Sequence, residues 1–294
     1  MKLPHLLFVR KLKTALAAAA ATAALSACAL AATAFNLTIT REGYEIHRDI
    51  AYGDNPRQRL DIYVPDRLAK PAPVIVFYHG GAWRGGDKAD YLFVGQAFAE
   101  NGFIAVMAEY RLFPEVSFPG FMEDAAGALR FVHDHIGAYG GDPAKLFVAG
   151  HSAGGYIAVM LAANPDYLRK AGGDPHWIRG VIGIAGPYDF LPFTDPPVRE
   201  IFSKAEESAT QPVYFMNRKL PPMLLATGDA DDVVLPKNTL SAAEKLRSVQ
   251  SPVEQRIYPG VSHMGIILSL AQGFRDKTPL LEDITRFVNA NSAH

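Results

Sequence analysis

A serine flanked by glycines is the clearest candidate for chemistry in this sequence. Residues 145–155 read KLFVAGHSAGG, so Ser152 follows an apolar run typical of a buried strand and precedes a run typical of a helix. A sharp strand–turn–helix bend leaves little room beside the serine, which is why G-x-S-x-G carries glycine on both sides. The following helix would aim its free N–H groups at a developing oxyanion. The pattern predicts a nucleophile, and a serine in a plain glycine turn is the alternative.

A serine nucleophile needs a base, usually histidine, and an acid that orients the base. After such a bend the chain order is serine, acid, histidine. Two histidines follow Ser152 with chain beyond them. His176 lies in a loop before a predicted strand, whereas His263 lies in a loop just after one. Because reacting groups gather at the carboxyl ends of parallel strands, His263 is the predicted base.

Several carboxylates compete for the role of the acid. The predicted strand Met223–Thr227 leads into a segment that carries Asp229, Asp231 and Asp232. Asp189 follows an earlier predicted strand. Two of the first three need be no more than turn or helix-capping residues. The residues alone leave this choice open.

The glycine-rich loop His79-Gly80-Gly81-Ala82-Trp83 is the predicted oxyanion loop. It follows the apolar strand Val74–Tyr78, and its glycines would let the backbone approach a substrate with N–H groups turned inward. We expect the donors to be the N–H groups of Gly81, Ala82 and Ala153. A plain glycine turn would not explain why the loop follows a central strand.

Aromatic side chains near these loops could line an apolar pocket for the acyl or alcohol part of a substrate. The candidates are Trp83, Phe113, Phe190 and Tyr214, with Phe193 and Phe215 beside them. Each of these residues taken alone is more often part of a core.

Strands and helices alternate along the chain after residue 44. An antiparallel opening pair is predicted at Tyr44–Tyr52 and Arg59–Val64, followed by βα units that indicate a mostly parallel sheet with right-handed crossovers. The later strands are predicted at Val74–Tyr78, Phe103–Ala108, Leu146–Ala149, Val181–Ala185, Met223–Thr227 and Val253–Tyr258. The helices are predicted at 90–100, Phe121–Ile136, Tyr156–Ala163, Lys237–Val249 and Leu280–Val288.

One segment breaks this rhythm. Residues 187–222 are rich in Pro, Phe and Tyr and have no clean periodicity. A long irregular segment in a compact domain is usually functional, so it could form a small cap over the site. The alternative is an ordinary crossover helix around Val198–Glu207 with long connectors, and both can hold.

Composition excludes several classes of function. The 294 residues carry a net charge of -1, which gives no electrostatic reason for a nucleic-acid partner. The length suits one large core or at most two domains. No Cys/His cluster has the spacing of a metal site, and no P-loop or dinucleotide fingerprint follows a strand. We therefore expect no metal and no cofactor.

The N-terminal residues have the pattern of an export signal. Basic residues up to Lys13 precede the Ala- and Leu-rich run Thr14–Leu25, which is too short to span a bilayer. The following Ser-Ala-Cys resembles the lipobox of bacterial lipoprotein signal peptides, which implies acylation of Cys28, the only cysteine. We expect a signal peptide at 1–27, a tether at 28–43 and a catalytic domain at 44–294.

The location follows from this resemblance. Ala29 after the cysteine implies the outer membrane if the cell is Gram-negative, with the lipid anchor as the only membrane contact. A plain signal peptide, and a periplasmic or secreted protein, is the alternative.

Taken together, these motifs resemble the α/β-hydrolase superfamily over nearly everything after residue 44. The loop 79–83 looks like the HGGxW-type oxyanion motif of one carboxylesterase branch, and 150–154 looks like its nucleophile elbow. Residues 109–115, EYRLFPE, resemble a segment of the hormone-sensitive-lipase-like esterases, and 139–143 are similar to the segment before the elbow strand of those enzymes. The HGGxW form also resembles prenylcysteine methylesterases and kynurenine formamidases.

The resemblance selects the acid, because in this superfamily it stands three residues after the glycine that ends its strand. That position is Asp231. Two positions depart from the lipase-like pattern: Ala82 replaces a third glycine, and His151 replaces the usual Asp before the nucleophile. Arg111 is expected to pair with Asp124 and to pin the loop near the site.

The activity that the resemblance implies is that of a serine carboxylester hydrolase. It would act on a small to medium apolar ester through Ser152, His263, Asp231 and an acyl-enzyme. An amide-type hydrolase, similar to the formamidases, is one alternative. A non-catalytic binding protein on a hydrolase fold is an alternative of another class, and the oligomeric state stays open.

Overall fold

The computed structural model describes residues 39–69 and 71–292. The predicted signal peptide, the lipobox with Cys28 and most of the tether lie outside the described residues. Within the described part of the chain, none of the helices has the length and apolar character needed to cross a membrane.

Eight strands form one sheet in the order β1-β2-β4-β3-β5-β6-β7-β8. Strand β2 pairs antiparallel with both β1 and β4, and the other neighbours pair in parallel. The strands are β1 (Tyr44–Ala51), β2 (Arg59–Pro65), β3 (Ala72–Tyr78), β4 (Ile104–Ala108), β5 (Gly141–His151), β6 (Ile178–Ile184), β7 (Met223–Gly228) and β8 (Val253–Tyr258). The central strands are continuous apolar runs because helices cover both faces of a parallel sheet. The predicted fold class is confirmed.

Helices connect the parallel strands. They are α1 (Leu92–Glu100), α2 (Gly120–His135), α3 (Ala153–Ala163), α4 (Asp166–Lys170), α5 (Pro196–Phe202), α6 (Pro212–Phe215), α7 (Lys237–Ser248), α8 (His263–Leu268) and α9 (Leu280–Ser292). Short 3-10 helices lie at Lys88–Tyr91, Ile136–Tyr139, Pro175–Trp177 and Glu207–Thr210. Helix α3 follows the predicted nucleophile, and its eleven residues are all buried.

The parallel order brings the ends of four strands to one edge of the sheet. The last residue of β3, Tyr78, pairs with Gly150 of β5. The last residue of β7, Gly228, pairs with Tyr258, the last residue of β8. The segments that directly follow these four strands contain every residue of the predicted triad and oxyanion loop, with His263 as the first residue of α8.

The segment 187–222 connects β6 to β7 and packs onto the domain. It contains α5, one 3-10 helix and α6. The N–H of Phe118 donates to the carbonyl of Ile201 at 3.1 Å, and the hydroxyl of Tyr156 donates to the carbonyl of Thr210 at 2.9 Å. The predicted helix around Val198–Glu207 is shorter and begins earlier than expected, because prolines at its first two positions favour a helix start.

Candidate active site

Ser152 occupies the bend between β5 and α3 in a strained backbone conformation. Its φ is 56° and its ψ is -120°, a combination that L-residues rarely adopt and that costs about 1–3 kcal/mol. The N–H of Ser152 donates to the carbonyl of Ile184 at 2.9 Å, so the bend is tied to the neighbouring strand β6. Strain of this kind is typical of a residue held by its surroundings for a function.

The two glycines of the motif are required by space. A Cβ on Gly150 would overlap the backbone of Gly154, and a Cβ on Gly154 would overlap the carbonyl of Tyr78. Real Cβ atoms essentially never come closer than 3.0 Å to such atoms. The structure therefore leaves no room for side chains at these two positions beside Ser152, as the motif predicts.

Asp231 and His263 form a buried pair. The Nδ1 of His263 lies 2.8 Å from Oδ2 of Asp231, and the two residues are 6% and 2% exposed. The other oxygen of Asp231 accepts the N–H groups of Val233 and Val234 at 3.0 and 2.8 Å. Since a carboxylate oxygen accepts, Nδ1 of His263 donates to Asp231, and Nε2 is the ring nitrogen that this contact does not use.

The loops that carry these two residues are joined to each other. The N–H of Ala230 donates to the carbonyl of Val261 at 3.2 Å. The N–H of Gly260 donates to the carboxylate of Asp229 at 2.6 Å. A Cβ on Gly228 would overlap the Val261 carbonyl, so close approach of the loops needs this glycine. Asp229, the rival candidate for the acid, therefore pins the loop that precedes His263.

His151 places His263 beside the elbow. The Nε2 of His151 lies 3.0 Å from the carbonyl oxygen of His263, and the ring centroids are 4.7 Å apart. Ser152 is the next residue after His151. The structure thus brings Ser152, His263 and Asp231 to one edge of the sheet. Their catalytic roles stay predictions.

The predicted oxyanion loop forms a tight turn. Gly81, Ala82 and Trp83 have consecutive positive φ angles of 122°, 51° and 56°. The N–H groups of Arg84 and Gly85 both donate to the carbonyl of Gly81 at 3.0 Å and close the turn. Two successive non-glycine residues in the left-handed region are unusual and indicate a loop held for a purpose.

The third predicted donor, Ala153, lies at the start of α3. There the N–H groups have no intrahelical partner and the helix dipole is positive. The donor roles of Gly81, Ala82 and Ala153 stay predictions.

Buried polar groups support the oxyanion loop from behind. His79 stacks on Tyr110 with ring centroids 4.4 Å apart, and its Nδ1 donates to the carbonyl of Gly80 at 2.7 Å. Burial lowers the pKa of His79 to about 4, so the ring is neutral at ordinary pH. Burial also raises the pKa of Glu109 to about 7, although its carboxylate lies 2.5 Å from Nη2 of Arg57.

The predicted pocket residues divide into two groups. Trp83 is 2% exposed, its ring is 6.2 Å from that of Phe190, and its carbonyl accepts the N–H of Phe113 at 2.8 Å. The Trp83 ring also packs against Phe121, Tyr156 and Phe202 at centroid distances of 5.8, 5.2 and 4.9 Å. Tyr214, by contrast, lies on α6 with about half of its surface exposed. A pocket role for each of them stays a prediction.

The pairing of Arg111 with Asp124 is confirmed. Nη2 of Arg111 lies 2.7 Å from Oδ1 of Asp124, and Nε lies 2.8 Å from Oδ2, so the contact is bidentate. Sequence reasoning missed a second polar contact, in which the hydroxyl of Tyr91 lies 3.3 Å from Nδ1 of His151. The sequence marked His151 as a departure from a family pattern, but nothing in the residues indicated what it would touch.

A separate cleft of about 590 Å³ is lined by none of the predicted site residues. Its lining includes Pro222 and Pro252, which precede β7 and β8, so it opens at the amino ends of the strands. In residues 39–69 and 71–292, no group of three or more His, Cys, Asp or Glu side chains could hold a metal ion.

The fold matches that of solved esterases. Esterase B from Lactobacillus rhamnosis superposes with a TM-score of 0.81 at 18% identity, over 93% of this chain and 96% of that chain. Esterase 2 of Thermogutta terrifontis gives a TM-score of 0.70 at 24% identity, over 86% of this chain and 96% of that one. The sheet, its connections and these matches define an α/β-hydrolase fold.

Family membership follows from the sequence comparison. The BD-FAE family model matches residues 60–246, more than half of the chain, and the chain belongs to this family. The probable isoprenylcysteine alpha-carbonyl methylesterase ICME of Oryza sativa subsp. japonica is 31% identical over 85% of this chain. Esterase LipC of Mycobacterium tuberculosis is 31% identical over 75% of this chain. The chain spans only 65% and 60% of the lengths of these two relatives.

Proposed function

We propose that the protein is a serine carboxylester hydrolase that acts on a small to medium apolar ester. The observation that carries this proposal is the buried 2.8 Å contact between Asp231 and His263, beside the strained elbow of Ser152. Nucleophile, base and orienting acid are the parts that acyl transfer through a serine requires. The esterase names of the relatives support the same class of reaction.

The proposed reaction has two halves. In the first, Oγ of Ser152 attacks the ester carbonyl carbon while Nε2 of His263 takes the hydroxyl proton. Asp231 holds the imidazole and stabilises its positive charge. His263 then gives the proton to the departing alkoxide, the ester C–O bond breaks, and the acyl group stays on Ser152. In the second half, a water loses a proton to His263 and attacks the acyl-enzyme. The bond between the acyl group and Oγ of Ser152 then breaks, His263 returns the proton to Oγ, and the acid is released.

The negative charge of each tetrahedral intermediate falls on the former carbonyl oxygen. Backbone N–H groups of Gly81, Ala82 and Ala153 are the proposed donors to it. Removing one donor of this kind in other enzymes costs about 10²–10³ in kcat, so the tight turn of the loop is part of the proposed mechanism.

The substrate class follows from the side chains around the loop. Trp83 in the proposed oxyanion loop lies against the ring of Phe190 and accepts the N–H of Phe113, so the loop is flanked by aromatic residues that suit an apolar acyl or alcohol group. The rice relative's name specifies a carbonyl methyl ester on isoprenylcysteine, which also combines an ester with an apolar chain.

Hydrolysis of p-nitrophenyl esters of increasing acyl length tests the proposal. We expect turnover by the purified full chain, a loss of several orders of magnitude in Ser152→Ala, and little change in Ser248→Ala, whose serine is exposed on α7. Ser152→Ala that keeps most of the ester turnover would overturn the mechanism. Faster cleavage of N-formyl amides than of esters would instead identify an amide-type hydrolase.

We also propose that the protein is exported and anchored by lipid at Cys28. The proposal rests on the signal-like residues 1–27 and the lipobox-like sequence that ends at Cys28. Metabolic labelling with a fatty acid should mark the wild type and leave Cys28→Ser unlabelled. Equal labelling of both, or of neither, would contradict it.

A further inference from the structure

His151, directly before the proposed nucleophile, is buried between the two loops that the proposed reaction uses. It is 1% exposed. On one side its Nε2 lies 3.0 Å from the carbonyl oxygen of His263. On the other side its Nδ1 lies 3.3 Å from the hydroxyl of Tyr91, which ends the 3-10 helix Lys88–Tyr91. The N–H of Gly80, in the oxyanion loop, donates to the same hydroxyl at 3.0 Å.

The donor and acceptor atoms fix the direction of each hydrogen bond that links Gly80, Tyr91, His151 and His263. A carbonyl oxygen can only accept, so Nε2 of His151 carries the proton that is donated to His263. Nδ1 of the neutral ring then has a lone pair, which accepts the hydroxyl hydrogen of Tyr91. The Tyr91 oxygen accepts the N–H of Gly80. These three bonds run in one direction, from Gly80 to His263.

The direction requires a neutral ring at His151. A protonated ring would present a second N–H to Tyr91, whose hydroxyl would have to turn away and could not keep the same pattern. Burial, followed by the proximity of His263, lowers the pKa of His151 well below 6.5. Burial and the hydrogen-bond pattern therefore both favour a neutral ring at His151.

Gly80 is fitted to the same contacts. Its φ is not in the positive region, so backbone freedom does not explain the glycine. A Cβ at this position would lie 2.8 Å from the Tyr91 hydroxyl and 3.2 Å from Nδ1 of His151. Any side chain here would push the oxyanion loop away from Tyr91 and His151.

We propose that Tyr91 and His151 are positioning residues that hold the oxyanion loop and the His263 loop in register across Ser152. This inference rests on the proposed function, because it assigns to both residues the alignment of the same site. Neither residue would touch substrate. The Gly80 bond fixes where the donors of the oxyanion loop lie, and the His263 bond fixes the backbone of the proposed base.

Steady-state kinetics on an ester substrate test the inference. Tyr91→Phe removes only a hydroxyl, and we expect kcat to fall about 10- to 30-fold with KM within about twofold. Tyr78→Phe is the matched control, since Tyr78 is a buried tyrosine whose hydroxyl donates to a carbonyl outside the site, that of Ala125 at 2.8 Å. Equal kcat losses in the two variants, or a Tyr91→Phe loss in KM alone, would overturn the inference.

Two substitutions of His151 test how much each of its two hydrogen bonds contributes to kcat. His151→Leu removes both, and we expect a fall of about 100-fold in kcat. His151→Gln keeps an N–H donor near the position of Nε2 and should restore part of the lost rate. Because residues in one chain of bonds act as a unit, Tyr91→Phe should cost little more in the His151→Leu background. The shared role would be contradicted if the kcat loss of the double variant equalled the product of the two single losses. It would also be contradicted if His151→Gln were no faster than His151→Leu.

Binding of a trifluoromethyl ketone gives a second readout. The ketone forms a tetrahedral adduct with a reactive serine, so its affinity depends on oxyanion donors that a product carboxylic acid does not need. In Tyr91→Phe we expect ketone affinity to fall in proportion to kcat while product affinity is unchanged. Equal weakening of both ligands would indicate general damage to the fold and would refute positioning.

Nitrogen NMR of labelled histidine separates this inference from the proposed function. At neutral pH the His151 ring should be the Nε2–H tautomer, and its Nδ1 resonance should move in Tyr91→Phe. An Nδ1–H tautomer would refute the hydrogen-bond chain even in a fully active esterase. Conversely, a protein without ester turnover but with the expected resonances would refute the proposed function and keep the chain of bonds.

Discussion

Three aspartates within four residues differ sharply in what they contact. Asp231 is 2% exposed and accepts bonds at both oxygens, whereas Asp229 accepts one loop N–H and Asp232 is exposed. One oxygen of Asp231 faces His263, and the other faces two backbone N–H groups. Its carboxylate therefore has a specific orientation that an amide of equal size cannot copy.

Asp231→Asn should lower kcat by about 10⁴. The two backbone N–H groups of Val233 and Val234 need an acceptor, so the amide oxygen must face them and the amide NH2 must face His263. That forces the imidazole into the tautomer with its proton on Nε2, which cannot take a proton from Ser152. Ester turnover in Asp231→Asn, compared with Asp232→Asn as control, measures the effect. A loss below about tenfold would mean that Asp231 does not orient the base.

Among single residues, the sequence predicted the contact between Asp231 and His263, but it did not predict the contacts of the residues around them. The motif and the chain order placed Ser152 and His263 at strand ends, and a family spacing chose Asp231. The contacts of His151 could not be read from the sequence, because they link residues 60 and 112 positions apart. Such contacts depend on how loops from distant strands fold over one another.

Among the elements, the bend between β5 and α3 leaves the least room for change. Gly154 lies in the first turn of α3, against the carbonyl of Tyr78 at the end of β3. The backbones touch because the helix starts directly behind the central strands. The start of α3 at Ala153 was predicted three residues later, since Ala-Gly-Gly has little helical pattern of its own.

Gly154→Ala should therefore destabilise the protein by about 1–3 kcal/mol or more. The new methyl would overlap the Tyr78 carbonyl, so either β3 or α3 must move. Gly137→Ala provides the control, because a Cβ there meets no atom within 4 Å and φ is not positive. Urea denaturation of both variants measures the difference. Similar midpoints for the two would show that the bend tolerates side chains.

Apolar patterning predicted the central strands and missed parts of their ends. Strand β5 begins at Gly141, whereas only Leu146–Ala149 was predicted, because Asp142-Pro143-Ala144-Lys145 carry no apolar pattern. Pairing to a neighbour uses backbone groups, which leave no trace in side-chain periodicity. The same limit applies to 187–222, where aromatic residues hold short helices through tertiary contacts rather than through helix periodicity.

Phe202 is the side chain that fastens α5 to the oxyanion loop. Its ring centroid lies 4.9 Å from that of Trp83 and 5.3 Å from that of Phe118. Phe202→Ala should lower the free energy of unfolding by about 3–5 kcal/mol, since it leaves a cavity among packed rings. Tyr214→Ala on the exposed side of α6 should change it by no more than about 0.5 kcal/mol. Thermal or urea denaturation distinguishes them, and equal small effects would mean that α5 is only loosely attached.

At the scale of the whole molecule, the sheet order gathers one site from four separate stretches of chain. The loops after β3, β5, β7 and β8 open at the same edge, although β6 separates β5 from β7. Bringing the loops together buries two neutral histidines, His79 and His151, beneath the candidate site. The free energy of unfolding of the domain therefore depends on pH.

Stability should consequently fall as the pH is lowered from about 6.5 toward 4. Below 6.5 the unfolded chain takes up a proton on each of these histidines, whereas the folded state keeps His79 neutral to about pH 4 and His151 neutral well below 6.5. The unfolded state thus binds more protons, and each such histidine adds a slope of up to about 1.4 kcal/mol per pH unit. Glu109 acts in the opposite sense, because its pKa is raised to about 7 in the folded state.

A comparison of variants isolates one histidine. Both the wild type and His151→Gln contain Glu109, so its effect cancels in the difference between them. His151→Gln should reduce the slope of unfolding free energy against pH by about 1 kcal/mol per unit just below pH 6, whatever its effect on the absolute stability. Tyr78→Phe should change the free energy of unfolding but not its slope against pH, because burial raises the pKa of that hydroxyl further above this range. Urea titrations at several pH values measure both quantities. An unchanged slope in His151→Gln would show that His151 takes up its proton in the folded protein, which its position between Tyr91 and the His263 carbonyl opposes.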